Sequence, residues 1–177
     1  METNYLIVPG YGNSGPTHWQ TYFENSGPNF RRILQSSWME PQCKDWVHNI
    51  NAAVDEYKHE TVVLITHSMG GVAMAHWAHQ YNKKIKGAMI VGPPDLENPY
   101  KDYSLQSFLP IPTQKLPFPT IAIVSTNDKW STLERAKHFT SCWGSEYIEI
   151  GDAGHINHNS GYGDWPVGLE LLKKYFG

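Results

Sequence analysis

Val62-Val-Leu-Ile-Thr-His-Ser-Met-Gly-Gly71 decides the fold. Its first four residues are apolar and mostly β-branched, the composition of a strand buried on both faces. It then passes through Ser68 into a stretch, Met69 to Tyr81, that reads as a helix. A strand feeding a helix this directly makes a tight turn, and a serine on that turn has its hydroxyl lifted clear of the sheet. Such a turn needs small neighbours two positions either side, because the strand and helix backbones nearly touch. Gly70 meets that need on the helix side, whereas Thr66 stands where the usual G-x-S-x-G pattern has its first glycine. Taken alone, the motif also fits an ordinary serine in a strand-to-helix turn.

The same alternation extends in both directions. Upstream, Tyr5-Leu-Ile-Val8 is a short apolar run ended by Pro9-Gly10, a buried strand followed by a turn. Pro16 marks a helix start, with Trp19, Tyr22 and Phe23 spaced for one helical face, and Ile33-Leu34 is a weaker second strand. From Cys43 to Tyr57 the positions Trp46, Ile50, Val54 and Tyr57 recur at helical period. Downstream, Ile85 to Val91 and Ile121 to Val124 are further strands. Ser131 and Glu134 form a capping box for a helix with Leu133, Ala136, Phe139 and Trp143 on one side, which Gly144 stops. Tyr147 to Ile150 is the sixth strand, and Leu169 to Phe176 a closing helix. Strands alternating with helices predict a parallel sheet between two helical layers, a three-layer α/β/α sandwich in one domain over residues 1–177.

One segment breaks the rhythm. Seven of the 12 prolines fall between Pro93 and Pro119, among Tyr100, Tyr103, Phe108 and Leu109. A loop of this length is unusual in a compact domain unless it serves a site or holds short helices. It reads as a cover over a site; a solvated connection is the other reading.

Composition narrows the partners. With 14 Lys and Arg against 17 Asp and Glu, the formal charge is −3, and no concentrated basic face suggests nucleic acid. Cys43 and Cys142 lie far apart in no metal or redox spacing, which fits a reduced, cytoplasmic setting. The N-terminus has no signal-peptide pattern, and the uncharged stretch from Thr61 to Asn82 is too interrupted for a membrane span. The glycines after the first strand lack the spacing of nucleotide-phosphate loops, and the His-x-x-His pairs at 76/79 and 155/158 lack the spacing of a helical zinc motif. Neither a cofactor nor a metal is expected.

Residues at the ends of other strands add weight to Ser68. An unactivated serine is a poor nucleophile and needs an adjacent base, itself oriented by a carboxylate. In a doubly wound sheet the residues that converge lie just past the carboxyl ends of strands. Asp128 follows the fifth strand and His155 the sixth, and Ser-Asp-His is the chain order of α/β-hydrolases. Asp95, after the fourth strand, is the competing acid; Asp152 reads as local and structural, and His67 as pointing away from the hydroxyl. The oxyanion donors expected are the backbone N–H groups of Met69, at the positive end of its helix, and of Tyr11. Gly10 and Gly12 would let that first loop approach a substrate closely.

Pro-Gly-Tyr-Gly-Asn-Ser-Gly-Pro-Thr-His-Trp-Gln from Pro9 to Gln20, Ser-Thr-Asn-Asp from Ser125 to Asp128, and the run from Gly151 to Pro166 resemble one small serine-hydrolase family. That family includes retinoblastoma-binding protein 9 and its bacterial relatives, and the resemblance spans nearly the whole chain. It implies a compact α/β-hydrolase fold without a separate cap domain, six parallel strands in the order 2-1-3-4-5-6, and a triad of Ser68, Asp128 and His155. The Leu-x-Cys-x-Glu signature of pocket-protein ligands is absent, so no retinoblastoma-type partner is implied. Trp165, ten residues past His155, is a candidate wall of the site or a core tryptophan. The expected activity is cofactor-free hydrolysis of a small carboxylic ester, amide or thioester through an acyl-enzyme. The alternatives are a binding or regulatory protein on the same fold, or acyl transfer by the same residues. No protein partner is indicated.

Overall fold

The computed structural model describes residues 2–97 and 103–177. Six strands, β1 (Asn4–Val8), β2 (Phe30–Arg32), β3 (Val62–His67), β4 (Gly87–Val91), β5 (Thr120–Val124) and β6 (Glu146–Glu149), form one sheet in the order β2-β1-β3-β4-β5-β6. All five neighbouring pairs are parallel. The order reverses between β1 and β3, so the loops leaving their carboxyl ends part company there and open a crevice, the usual ligand position in such sheets.

Side chains alternate across a strand, and here each set meets its own layer of helices. Leu6, Val8, Leu64 and Ile90 pack with α2 (Cys43–Val54), α3 (Met69–Tyr81) and α4 (Leu133–Trp143). Tyr5, Ile7, Val63, Ile65, Met89 and Val91 face the other way, onto α1 (Trp19–Glu24) and α5 (Pro166–Phe176). Every residue of β3 is buried, as its unbroken apolar run requires. The edge strand β6 exposes both of its glutamates.

The structure corrects several sequence-based boundaries. The second strand lies at Phe30–Arg32, ahead of Ile33-Leu34; Tyr5 pairs with Phe30 and the two rings stack at 4.4 Å. An edge strand can carry charge: Arg31 pairs with Glu56 at the surface, and the nearly buried Arg32 pairs with Glu24. Leu34 is exposed. The capping residue of α4 is Thr132, whose hydroxyl accepts the Arg135 N–H at 3.2 Å; Ser131 is buried beside it. In α1, which has only six residues, Tyr22 faces solvent while Gln20 is fully buried, donating its side-chain amide to the Ile65 carbonyl at 3.2 Å. β4 opens at Gly87, two residues past Ile85, and only glycine fits there, since a Cβ would stand 2.3 Å from the Phe176 ring.

The proline-rich segment is in large part core. Phe108, Ile111, Leu116 and Phe118 are buried against α2, α3 and α4, around a short 3-10 turn at Tyr103–Phe108. Residues 98–102 of the expected cover, with Tyr100 among them, lie outside the described residues. Among the described residues no helix is long and apolar enough to cross a membrane.

Candidate active site

Ser68 occupies the junction of β3 and α3 with φ 53° and ψ −126°. Only a few per cent of non-glycine residues adopt positive φ, and the strain persists only where surroundings over-determine it. They do so here. The Ser68 N–H donates to the Val91 carbonyl at 3.0 Å, and the Gly71 N–H donates to the Ser68 carbonyl at 2.9 Å. A Cβ on Gly70 would stand 2.1 Å from the Val8 carbonyl oxygen, so helix and strand pass in contact. Thr66, in the place of the usual glycine, is fully buried, and the position of a Gly71 Cβ lies 3.3 Å from its hydroxyl. The second glycine therefore takes up the bulk that threonine adds.

Asp128 and His155 reach Ser68 from the ends of β5 and β6. His155 Nε2 lies 2.9 Å from Ser68 Oγ, and His155 Nδ1 lies 2.7 Å from Asp128 Oδ2. A carboxylate only accepts, so Nδ1 carries the proton and Nε2 is left to accept the Ser68 hydroxyl. The other Asp128 oxygen accepts the Trp130 N–H at 2.9 Å, and both the Asp128 and His155 side chains are nearly buried. Gly92 borders the pair: a Cβ there would lie 3.5 Å from Asp128 Oδ2 and 3.6 Å from His155 Nδ1.

The loop that carries His155 is tied down by side chains. Ser125 Oγ accepts from the Ala153 N–H, Asn127 Oδ1 from Gly154, and Ser160 Oγ from His155 itself. Trp19 Nε1 donates to the Ile156 carbonyl at 2.8 Å. His67, next to Ser68, points away from the hydroxyl and donates Nε2–H to the His155 carbonyl at 2.9 Å. Burial holds the His67 imidazole well below the usual histidine range, with the neighbouring His155 and His18 adding to the effect. Burial, followed by the charges of His158, Arg32 and His155, lowers His18 to about 4. Both rings are thus neutral at pH 7.

The remaining expected residues separate into two groups. Gly10 approaches the elbow so closely that a Cβ would lie 2.9 Å from Ser68 Cβ and 3.2 Å from the Met69 nitrogen, which brings the Tyr11 backbone beside the start of α3. Tyr11 and Met69 line a cavity of about 470 Å³ together with Ser68, Asp128, His155, Asp95 and Trp130. Asp95, the rival acid, is bonded away from His155: Arg135 clamps it through Nε at 2.8 Å and Nη2 at 3.1 Å. Gly10, Gly12 and Trp165 do not line this cavity. Gly12, at φ 74°, shapes the first loop and donates its N–H to the Trp38 carbonyl. Trp165 is a core residue, packed on Trp19, Phe23 and Tyr162. Asp152 accepts the Thr126 hydroxyl and holds the loop base. His76 bonds the Phe108 carbonyl, and among the described residues no group of three or more His, Cys, Asp or Glu is placed to hold a metal.

Sequence reading misses Trp130, Gly92, Ser125, Asn127 and the bond made by His67. Ser125, Asn127 and Trp130 flank Asp128 in the chain, so proximity is the one signal present. Nothing in the sequence says which of them faces the histidine loop.

A hydroxyl bonded to an imidazole that a carboxylate orients can lose its proton as it attacks an electrophilic carbon. None of the curated proteins matches the chain. Among solved structures, a putative YdeN-like hydrolase from Pectobacterium atrosepticum is 31% identical over 99% of this chain and 91% of that one, with a TM-score of 0.87. The ydeN gene product of B. subtilis, at 19% identity over 99% of both chains and a TM-score of 0.73, shares the fold. So does Est1E from Butyrivibrio proteoclasticus, solved with ferulic acid, at 16% identity over 97% of this chain and 88% of that one and a TM-score of 0.70. Residues 5–174 match the family described as serine hydrolase, and the chain belongs to that family.

Proposed function

We propose that this protein hydrolyses small carboxylic esters, or the corresponding amides and thioesters, with Ser68 as nucleophile. The observation that carries the reading is the unbroken set of hydrogen bonds from Ser68 Oγ through His155 to Asp128, at 2.9 and 2.7 Å, opening on the cavity of about 470 Å³. That volume lies in the range of small-molecule sites. Ser68 Oγ attacks the carbonyl carbon while its proton passes to His155 Nε2. Asp128 steadies the resulting imidazolium. The carbonyl oxygen, now negative, lies against the N–H groups of Met69 and Tyr11; losing one such donor costs about 2.7–4 kcal/mol in comparable sites. As the bond to the alcohol, amine or thiol breaks, His155 gives its proton to the departing atom. Water then attacks the acyl-enzyme by the same route and releases the acid.

Intact-mass analysis after exposure to a small fluorophosphonate tests the reading. One adduct on the wild type, mapping to Ser68 and absent from both Ser68→Ala and His155→Ala, is the expected result. An unlabelled wild type with all three proteins folded would overturn it and leave a binding role.

A further inference from the structure

Of the chain's seven tryptophans, five are buried and Trp38 packs partly buried against the core. Trp130 alone is exposed, at 48%, and it lines the cavity that contains Ser68. Large apolar surface left in water at a concave wall marks a place that a ligand covers. The residue that carries this indole is anchored through its main chain. The Trp130 backbone N–H donates to Asp128 Oδ1, its backbone carbonyl accepts the Asp95 N–H at 2.9 Å, and Lys129 Nζ sits 5.0 Å from the ring centre. The ammonium takes one face of the ring, and the residue remains 48% exposed. Leu96, Leu105 and Pro94 add apolar wall.

The ring stands 6.3 Å from that of His155, steeply inclined to it. In ester hydrolysis His155 must deliver its proton to the departing oxygen, so the alcohol part of the ester lies on the His155 side of the scissile carbonyl. We infer that Trp130 is a binding platform for an aromatic ring on the leaving alcohol, and that the substrates are esters of benzyl-type alcohols. The inference rests on the hydrolase reading above. An aromatic pair prefers offset or edge contact at about 4.5–7 Å between centroids, a geometry for which the exposed ring of Trp130 stands beside His155 in the same cavity.

Benzyl acetate and cyclohexylmethyl acetate provide the test, because the two alcohols are close in size and differ chiefly in aromaticity. The wild type should favour the benzyl ester by about three- to tenfold in kcat/KM, the range that aromatic pairing supplies beyond apolar burial. Trp130→Phe should keep the preference and Trp130→Leu should abolish it, each variant serving as its own reference through the ratio of the two esters. Equal rates in the wild type, or a preference that survives Trp130→Leu, would overturn the proposal. A second readout needs no turnover: 4-nitrobenzyl alcohol, whose nitroaromatic ring quenches an indole it stacks on, is titrated into Ser68→Ala and into Ser68→Ala/Trp130→Phe. Saturable quenching in the first and its loss in the second support the platform; no saturable quenching overturns it. A wild type that neither labels with fluorophosphonate nor cleaves either ester refutes the hydrolase reading, while the quenching still decides the platform.

Discussion

Ser68 and His155 face each other across 2.9 Å, yet different physics holds each in place. The serine turn is a packing problem: a fully buried strand runs into a largely buried helix, and the helix passes so close to β1 that Gly70 has no room for a Cβ. The histidine loop is a hydrogen-bonding problem, since Ser125, Asn127, Ser160 and His67 each fasten one of its backbone groups. Steric placement fails abruptly, because cores transmit strain. Polar placement fails by degrees, one bond at a time. Damage to the first region should therefore unfold the protein, and damage to the second should leave a folded protein with a poorly aimed base.

The sharpest way to break this contrast is Gly70→Ala. Its methyl would stand 2.1 Å from the Val8 carbonyl and 2.8 Å from that of Pro9, both backbone atoms that cannot yield. A loss above about 4 kcal/mol is expected, seen as insoluble protein or a collapsed melting temperature; a Tm near the wild type would refute the packing account. On the other side, Asp128→Asn should keep the fold and lower kcat by about 10³- to 10⁴-fold, because the amide no longer fixes the His155 tautomer. Steady-state rates beside a thermal melt check both halves of that statement.

Acidity separates the regions in another way. In the unfolded chain His18 and His67 take a proton near pH 6.5, whereas burial, their main cause of shift, lowers His18 to about 4 and His67 well below its usual range. Between those values the unfolded state binds more protons. Stability is thus complete above about pH 6.5 and falls as the pH drops toward 4, by on the order of 2–3 kcal/mol for His18. Urea midpoints at pH 7.5 and 4.5 measure it. His18→Asn, which keeps an acceptor at the cap of α1, should flatten part of the slope.

His67→Phe keeps a planar ring and removes the donor to the His155 carbonyl. A fall in kcat of about 10- to 100-fold with little change in KM is expected, the range set by leaving a buried carbonyl unpaired. His67→Gln, which can still donate, should recover much of it. If the two variants behave alike, the bond does not position the base. The mildest change is Ser125→Ala, which removes the acceptor for the Ala153 N–H at 3.0 Å and should cost about 1 kcal/mol in chemical denaturation.

Legibility in the sequence divides along the same line. Val62 to Ile65 announces a buried strand because both of its faces need apolar residues, and the turn into Met69 is signalled by Gly70. The edge strand β2 escapes such reading because its charged Arg31 and Arg32 satisfy no burial pattern. The cap of α4 shifts by one residue from its expected place, since Ser131 and Thr132 are equally good capping types and only backbone geometry chooses between them.

The layered parallel sheet and the candidates that follow its strands, Ser68, Asp128 or Asp95, and His155, are legible in the order of residues alone. Periodicity and strand ends are local properties, legible along one dimension. The direction each side chain faces belongs to the folded molecule. Arg135, 40 residues on, makes Asp95 a structural carboxylate. Trp165 goes to the core and Trp130 to the cavity, although both are tryptophans that follow the last strands. Those outcomes depend on which distant groups meet in space, and a side chain's direction in a loop is fixed only when its partners arrive.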